Sequence, residues 1–327
     1  MLRILAAALG LVALATGCGG TSEAAAEGSK LTLVAYSTPR EVYAQLTKDF
    51  AATEAGRGVR FDESYGSSGE QSRAVESGLA ADVVAFSLAP DVDRLVQADL
   101  VADTWADDRY EGMVTSSVVV FAVRKGNPTG IETWDDLVED GVEVIGPNPF
   151  TSGGARWNVM AAYGAQLKQG KTHDQAVAYL LELFKHVSVQ DKSAREALQT
   201  FTGGKGDVLL AYENEAILAQ EKGEDLDYVV PEQTILIENP VAVTKDSPEQ
   251  AAAFLDYIRS EEAQRVFGNA GYRPVNAGVA DEFQFPMPPG LFTIVDLGGW
   301  PEVQERFFDR ENGIMADVQR QVGAALE

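Results

Sequence analysis

The chain has 327 residues, 45% of them hydrophobic and 23% charged, which is enough apolar material for about two domains with their own cores. Its formal net charge of -24 at pH 7 argues against nucleic-acid binding, because phosphate backbones are bound by clustered Lys and Arg. One cysteine and two histidines are too few for a zinc site built from these ligands, so we expect no metal and no cofactor.

The first residues are expected to be an export signal and not part of the fold. Arg3 precedes a short apolar run, too short to span a membrane, and small residues stand directly before Cys18. This pattern resembles a bacterial lipobox, which implies cleavage before Cys18 and acylation of its thiol and new amino group. Residues 1–17 are then a signal peptide and residues 18–29 a lipid-anchored tether. The alternative is an ordinary signal peptide with a chance cysteine.

Short strands and helices alternate along the body of the chain. A strand at 31–37 comes first, and further strand and helix pairs follow it. Two longer strands are predicted at 116–128 and 234–246, with helices at 155–168 and 173–186 between them. Such alternation favours an α/β fold with a largely parallel sheet.

The two long strands indicate where the chain passes between two lobes. They enclose an α/β block, and in the simplest arrangement the chain crosses from lobe to lobe twice. We predict that residues 30–115 and 238–327 form the first lobe and that residues 116–237 form the second. Clefts between lobes are preferred places for ligands, and open sheets bind them at the carboxyl ends of their strands.

Four predicted helices begin with a small hydroxyl residue soon after a strand. Their starts are Thr38-Pro39-Arg40-Glu41, Ser68-Gly69-Glu70-Gln71, Thr151-Ser152-Gly153-Gly154 and Ser193-Ala194-Arg195-Glu196. Three of them match the capping box, in which Glu or Gln stands three residues after Ser or Thr. A helix N-terminus carries free N–H groups and a partial positive charge, so several such ends around a cleft favour an anion site. Capped helices without any ligand remain the alternative.

Six sequence blocks carry a resemblance to a known family. They are AYSTPREVY, SYGSSGEQSRAV, ADVVAFSLAPDVDRLV, NPFTSGGARWN, GDVLLAYENEA and GYRPVN, and they fall within residues 31–310. In order and spacing they resemble the sulfate-binding proteins of bacterial sulfate and thiosulfate ABC importers. The resemblance implies a two-lobed periplasmic-binding-protein fold of type II with two hinge crossovers. It also implies capture of a dehydrated sulfate dianion, or of thiosulfate, by uncharged donors.

The same resemblance implies the partners and the location of the protein. A membrane permease would receive the anion, and the protein would itself catalyse no reaction. We expect a monomer that is anchored by lipid on the outer face of the cytoplasmic membrane.

Carried over by position, the resemblance implies donors that coincide with the helix starts. They are the amides of Ser37, Gly153, Gly154 and Ala194, the hydroxyl of Ser68, the amide and hydroxyl of Ser152, and the side chain of Tyr212. The family commonly has Asp at the position of Ser37 and Trp at that of Tyr212. An indole N–H only donates, whereas a Tyr hydroxyl also accepts, so selectivity against a protonated oxyanion such as phosphate stays open.

Other functions remain as alternatives. A binder of thiosulfate, molybdate or phosphate would use the same cleft. An exported hydrolase would need a base near Ser68 or Ser152, and the histidines, His173 and His186, are predicted on or beside one helix of the second lobe. An adhesin or structural lipoprotein would bind no small ligand in the cleft.

Overall fold

The computed structural model describes residues 29–326, so the predicted signal peptide and Cys18 lie outside the described residues. The strands are β1 (Lys30–Tyr36), β2 (Arg60–Gly66), β3 (Val83–Ala85), β4 (Met113–Arg124), β5 (Val144–Pro147), β6 (Val187–Asp191), β7 (Val208–Tyr212), β8 (Leu226–Val229), β9 (Leu236–Val243) and β10 (Arg273–Pro274). The α-helices are α1 (Arg40–Ala52), α2 (Ser68–Glu76), α3 (Ala89–Gln97), α4 (Gly153–Lys168), α5 (His173–His186), α6 (Ala194–Thr202), α7 (Glu213–Glu221), α8 (Glu249–Ile258), α9 (Glu261–Asn269), α10 (Ala277–Ala280), α11 (Gly299–Phe308) and α12 (Ile314–Val322).

The strands form a mixed sheet that runs through both halves of the molecule. Its order is β2-β1-β3-β9-β4-β7-β5-β6, with β8 and β10 also paired to β4. Strand β1 is parallel to β2 and β3, and β5 is parallel to β6 and β7. The expected α/β class is confirmed, but the sheet is less parallel than expected because β4 and β9 run antiparallel between the two parallel groups.

The long strand β4 joins the two halves of the sheet. Its first part, from Met113 to Val118, pairs with β9, and its second part, from Val119 to Val123, pairs with β7. Strand β9 returns along β4 to β3 in the first half. Strands β4 and β9 therefore lie where the sequence predicts the two crossovers.

The first half has its own apolar core. Helix α1 turns Val42, Leu46 and Phe50 towards the sheet, as their helical spacing predicts. The ring of Phe50 meets that of Phe254 of α8 edge-on, with 5.2 Å between centroids. Helices α8 and α9 therefore belong to the core of the first half, as expected for residues that follow β9.

The C-terminal helices α11 and α12 pack differently from that expectation. Trp300 of α11 lies 4.8 Å from Trp157 of α4 between ring centroids, and Met315 of α12 is buried in the same core as Leu180 of α5. Helix α12 thus packs on α5 of the second half, whereas α11 lies against both halves and contacts α3 of the first and α4 of the second. The apolar face of a helix shows which side is buried but not which lobe it packs against. The position of these helices in the chain, after β9, was therefore not enough to predict their packing.

Among the described residues, no helix combines the length and apolar character that crossing a bilayer requires.

Candidate functional site

A small, narrow cavity lies between the two halves of the molecule. From the first half it is reached by the residues that follow β1, β2 and β3, and from the second by the starts of α4 and α6 and the end of β7. The carboxyl ends of parallel strands meet at one edge of a sheet, and the next helices begin there. All the predicted site residues line it, namely Ser37, Ser68, Ser152, Gly153, Gly154, Ala194 and Tyr212.

The lining is polar but uncharged. The remaining lining residues are Tyr36, Thr38, Gly66, Ser67, Ser87 and Ser193, so no described residue of the lining carries a charge. Neither His173 nor His186 lines the cavity; they bond Tyr163 and the carbonyl of Val142 instead. Within residues 29–326, no group of His, Cys, Asp and Glu is placed to hold a metal ion. The cavity thus offers hydrogen bonds and helix dipoles, but no histidine base.

The cavity collects backbone amides that have no acceptor in the described part of the chain. These are the N–H groups of Ser37, Ser68, Gly153, Gly154 and Ala194. Four of the five stand in the first turn of a helix, where the N–H groups have no intrahelical partner. An anion at this place would receive their hydrogen bonds and the positive ends of three helix dipoles, those of α2, α4 and α6.

Ser152 has partners within the chain for both its amide and its hydroxyl. Its amide donates to the carbonyl of Asn148 at 2.9 Å, and its contact with an anion stays a prediction. Its hydroxyl oxygen caps α4 by accepting from the N–H of Ala155 at 3.3 Å. A hydroxyl that accepts still has its own proton, so the Ser152 O–H remains a donor to the cavity.

The Ser68 hydroxyl also has partners within the chain. It donates to Oδ2 of buried Asp91 at 2.6 Å and accepts from the N–H of Ser87 at 3.0 Å. A hydroxyl can donate only one hydrogen bond, and here Asp91 accepts it. Arg94 in turn donates to the other Asp91 oxygen at 3.3 Å. Ser68 therefore offers the cavity a free amide, and the contact of its hydroxyl with an anion stays a prediction.

Two of the predicted capping boxes do not form. Helix α1 follows Pro39 without a side-chain cap, and the Thr38 hydroxyl donates instead to Glu215 at 3.2 Å. Helix α2 begins one residue earlier than expected, after Ser67, with no side-chain cap. The cap at Ser193 is confirmed by its 3.2 Å bond from the Glu196 amide. The hydroxyls of Thr38 and Ser68 are engaged by carboxylates far along the chain, whereas that of Ser67 donates to Glu70 at 2.7 Å.

The absence of a side chain has a different consequence at each of the two glycines that begin α4. A Cβ built on Gly153 would lie 1.9 Å from Oγ of Ser87, so this position permits a close approach of the first half. A Cβ on Gly154 would lie 3.4 Å from Cβ of Ala194 and 3.5 Å from Cε1 of Tyr212, which is ordinary contact distance. It would fit the protein and occupy the cavity, because all these residues line it.

The Tyr212 hydroxyl is buried and lacks a partner. It lies beside Ser87 and Asn239 but makes a hydrogen bond of acceptable geometry with neither. Burial raises the pKa of this hydroxyl well above its ordinary value, so it keeps its proton near neutral pH. Ser87, which sequence reasoning missed, also lines the cavity with an unpartnered hydroxyl. Its signal was its place close to the carboxyl end of β3, two residues after Ala85, as Ser37 stands close to the carboxyl end of β1.

Charged residues join the two halves outside the cavity. Arg195 of α6 donates to the carbonyl of Ser37 at 3.0 Å and forms an ion pair with Glu41 of α1. Lys222 of α7 bonds the same carboxylate at 3.0 Å. Although burial raises the pKa of Glu41, hydrogen bonds from Arg195 and Lys222 bring it down to about 2. This ion-pair cluster holds the halves together beside the cavity.

Glu215 is a buried carboxyl in the wall behind the cavity. It accepts from the Thr38 hydroxyl and from the Tyr212 amide, both at 3.2 Å. Burial raises its pKa to about 7, because the ionised form loses more hydration than these two bonds and the nearby Arg195 restore. A carboxyl that is half neutral near pH 7 places less negative charge behind an anion site.

Comparisons with known proteins agree with this geometry. The family model described as bacterial extracellular solute-binding protein matches residues 31–273. A sulfate-binding protein of Synechococcus elongatus is 40% identical, with 98% of this chain and 96% of the relative covered. A thiosulfate-binding protein of Pseudomonas aeruginosa is 36% identical, with 94% and 96% covered. The solved structure of the sulfate-binding protein SubI from Mycobacterium tuberculosis has a TM-score of 0.83 and 43% identity, covering 86% of this chain and 100% of that one.

Gly154→Ala is expected to leave the fold intact and to block the cavity. The added methyl meets no described atom closer than 3.4 Å, and alanine is the better helix former. Affinity for the anion should fall by about two orders of magnitude or more, about 2.7 kcal/mol, in a calorimetric titration. Gly146→Ala is the control, since its Cβ meets nothing within 4 Å and Gly146 does not line the cavity. Tight binding by the Gly154 variant would contradict the assignment of this cavity.

Glu215 should make stability depend on pH. Its folded pKa of about 7 lies above the ordinary value of 4.5, so the stability from the neutral carboxyl is complete below pH 4.5 and is lost as pH rises through 7. Urea unfolding should show that the wild type loses roughly 2–5 kcal/mol more over this range than Glu215→Gln, which cannot ionise. Parallel pH profiles for the two proteins would contradict this expectation.

Proposed function

Because this chain belongs to the bacterial extracellular solute-binding proteins, and among them to the sulfate-binding protein family, we propose that it captures a sulfate dianion in the described cavity. It would deliver the anion to the membrane permease of an ABC importer, in a binding step without a chemical reaction. The observation that carries the proposal is the uncharged cavity into which several unpartnered donors converge.

The donor set matches the chemistry of a fully deprotonated oxyanion. Taking a dianion out of water costs a large free energy unless fixed hydrogen bonds replace its hydration. The proposed donors are the amides of Ser37, Ser68, Gly153, Gly154 and Ala194 and the hydroxyls of Ser152 and Tyr212. Sulfate carries no proton near neutral pH and can accept from all of them, whereas a protonated anion would turn its proton towards a donor.

We propose that the lobes close on the anion by a hinge at the two crossovers. Their boundaries would be residues 30–115 with the segment after β9 up to α9 for the first lobe, and 116–237 with α11 and α12 for the second. The two lobes contribute different donors, so only the closed arrangement surrounds the anion. The ion pair between Arg195 and Glu41 would favour that arrangement.

Thiosulfate is a second candidate ligand. The similarity to a thiosulfate-binding protein at 36% identity favours it. The cavity contacts a tetrahedral anion through its oxygens, and thiosulfate offers three of the same kind. Competition between the two anions would therefore take place at one site.

We also propose that the mature protein is a monomer anchored by lipid at Cys18 on the outer face of the cytoplasmic membrane. The support is the order of apolar run, small residues and cysteine at the N-terminus, together with membership of an extracellular family. Residues 18–29 would then act as the tether between membrane and body.

Calorimetric titration of the purified protein with sulfate tests the binding function. We expect one site per chain with a dissociation constant in the micromolar range or below, about -8 kcal/mol, because the cavity replaces the hydration of the anion almost completely. Small-angle scattering should show a smaller radius of gyration when sulfate is added, as the lobes close. Thiosulfate, molybdate and phosphate are the competitors. No heat and no thermal shift with millimolar sulfate would refute the proposal.

Detergent phase partition tests the anchor. Expressed in a bacterial host, the wild-type chain should enter the detergent phase, because two or more acyl chains give stable membrane binding. Cys18→Ser should move it to the aqueous phase while leaving sulfate affinity unchanged, since the cavity lies within residues 29–326. Equal partition of the two proteins would disprove lipidation at Cys18.

A further inference from the structure

Ser87 presents a buried hydroxyl that has no partner among residues 29–326. Its Oγ is shielded from solvent and makes no hydrogen bond there, although the residue lines the cavity. Buried polar atoms in proteins nearly always have a partner, so this one points to a group from outside the chain.

The backbone of Ser87 is held from both sides. Its N–H donates to Oγ of Ser68 at 3.0 Å. Its carbonyl accepts from Nε1 of Trp157 at 2.7 Å and from Nδ2 of Asn239 at 3.3 Å. The peptide groups are therefore satisfied, and the hydroxyl is the part of Ser87 that is left without a partner. A group held in this way loses little further freedom when it binds a ligand.

The position of the hydroxyl coincides with the strongest part of the anion site. Oγ of Ser87 lies 1.9 Å from the place of a Cβ on Gly153, directly over the start of α4. The unpartnered amides of Gly153 and Gly154 are at this helix end. The unpartnered hydroxyl of Tyr212 lies beside Ser87 as well. Two amides and two hydroxyls thus surround one small volume.

We propose that the Ser87 hydroxyl donates directly to the bound anion. The inference rests on the proposed function and adds one ligand-binding residue to it. Oγ of Ser68 accepts a hydrogen bond from the N–H of Ser87, and the Ser68 hydroxyl donates to Asp91. The first lobe then offers a donor beside the amides of the second.

Titration of Ser87→Ala with sulfate tests the proposal. A hydrogen bond to a charged group is worth enough for a loss of roughly 10- to 100-fold in affinity. Without sulfate the variant should melt no lower than the wild type, because an unpartnered buried hydroxyl contributes nothing to stability. The sulfate-induced rise in melting temperature should be smaller than in the wild type.

Ser117→Ala is the matched control. Its Oγ is also buried and unpartnered, but it lies on β4 and Ser117 does not line the cavity. We expect sulfate affinity within about twofold of the wild type for this variant. Wild-type affinity in Ser87→Ala, or an equal loss in both variants, would overturn the role of Ser87 alone. A wild-type protein that binds neither sulfate nor thiosulfate would overturn the proposed function instead.

Discussion

A dianion that leaves water must regain its hydrogen bonds from groups held in place, and the start of α4 is the part of this structure on which that depends. Ser152 caps the helix, which leaves the amides of Gly153 and Gly154 without acceptors. The absence of a side chain at 153 admits Ser87 from the other half of the molecule. The remaining donors are placed by strand ends that meet at the same edge of the sheet. The topology of the sheet therefore determines the position of the site.

The charged side chains around the cavity do not line it but form hydrogen bonds with residues that do. Asp91 accepts a hydrogen bond from the Ser68 hydroxyl and another from Arg94. Arg195 donates to the Ser37 carbonyl and forms an ion pair with Glu41. A cation inside the cavity would bind any anion of suitable size strongly. Neutral donors oriented by charges behind them discriminate by proton count and shape, because each donor demands an acceptor. The chain carries a net charge of -24, so its binding strength has to come from such local groups.

Local sequence patterns were sufficient for most strands and helices, and the resemblance to a known family supplied the predicted donors, although these did not include Ser87. Strand and helix periodicity placed β1, β4, β9 and the helix starts, and each predicted site residue lines the cavity. The sequence did not predict which polar atom of each residue lacks a hydrogen-bond partner within the chain. Several partners of the other polar atoms lie far away in sequence. Asp91 reaches Ser68 over 23 positions, and Glu215 reaches Thr38 over 177. The packing of α11 and α12 likewise depends on tertiary shape and not on their own pattern.

The hydroxyls at the cavity give its selectivity a specific physical basis. Amides only donate, so the helix ends favour an anion without protons. The hydroxyls of Tyr212 and Ser87 lie side by side, and each can turn to accept. With a deprotonated anion both donate, whereas a single proton on the ligand can be accommodated only by reversing one of them. That reversal would give up one donor to the anion, so, on the proposed function, we expect a protonated oxyanion to bind more weakly than sulfate without being excluded completely.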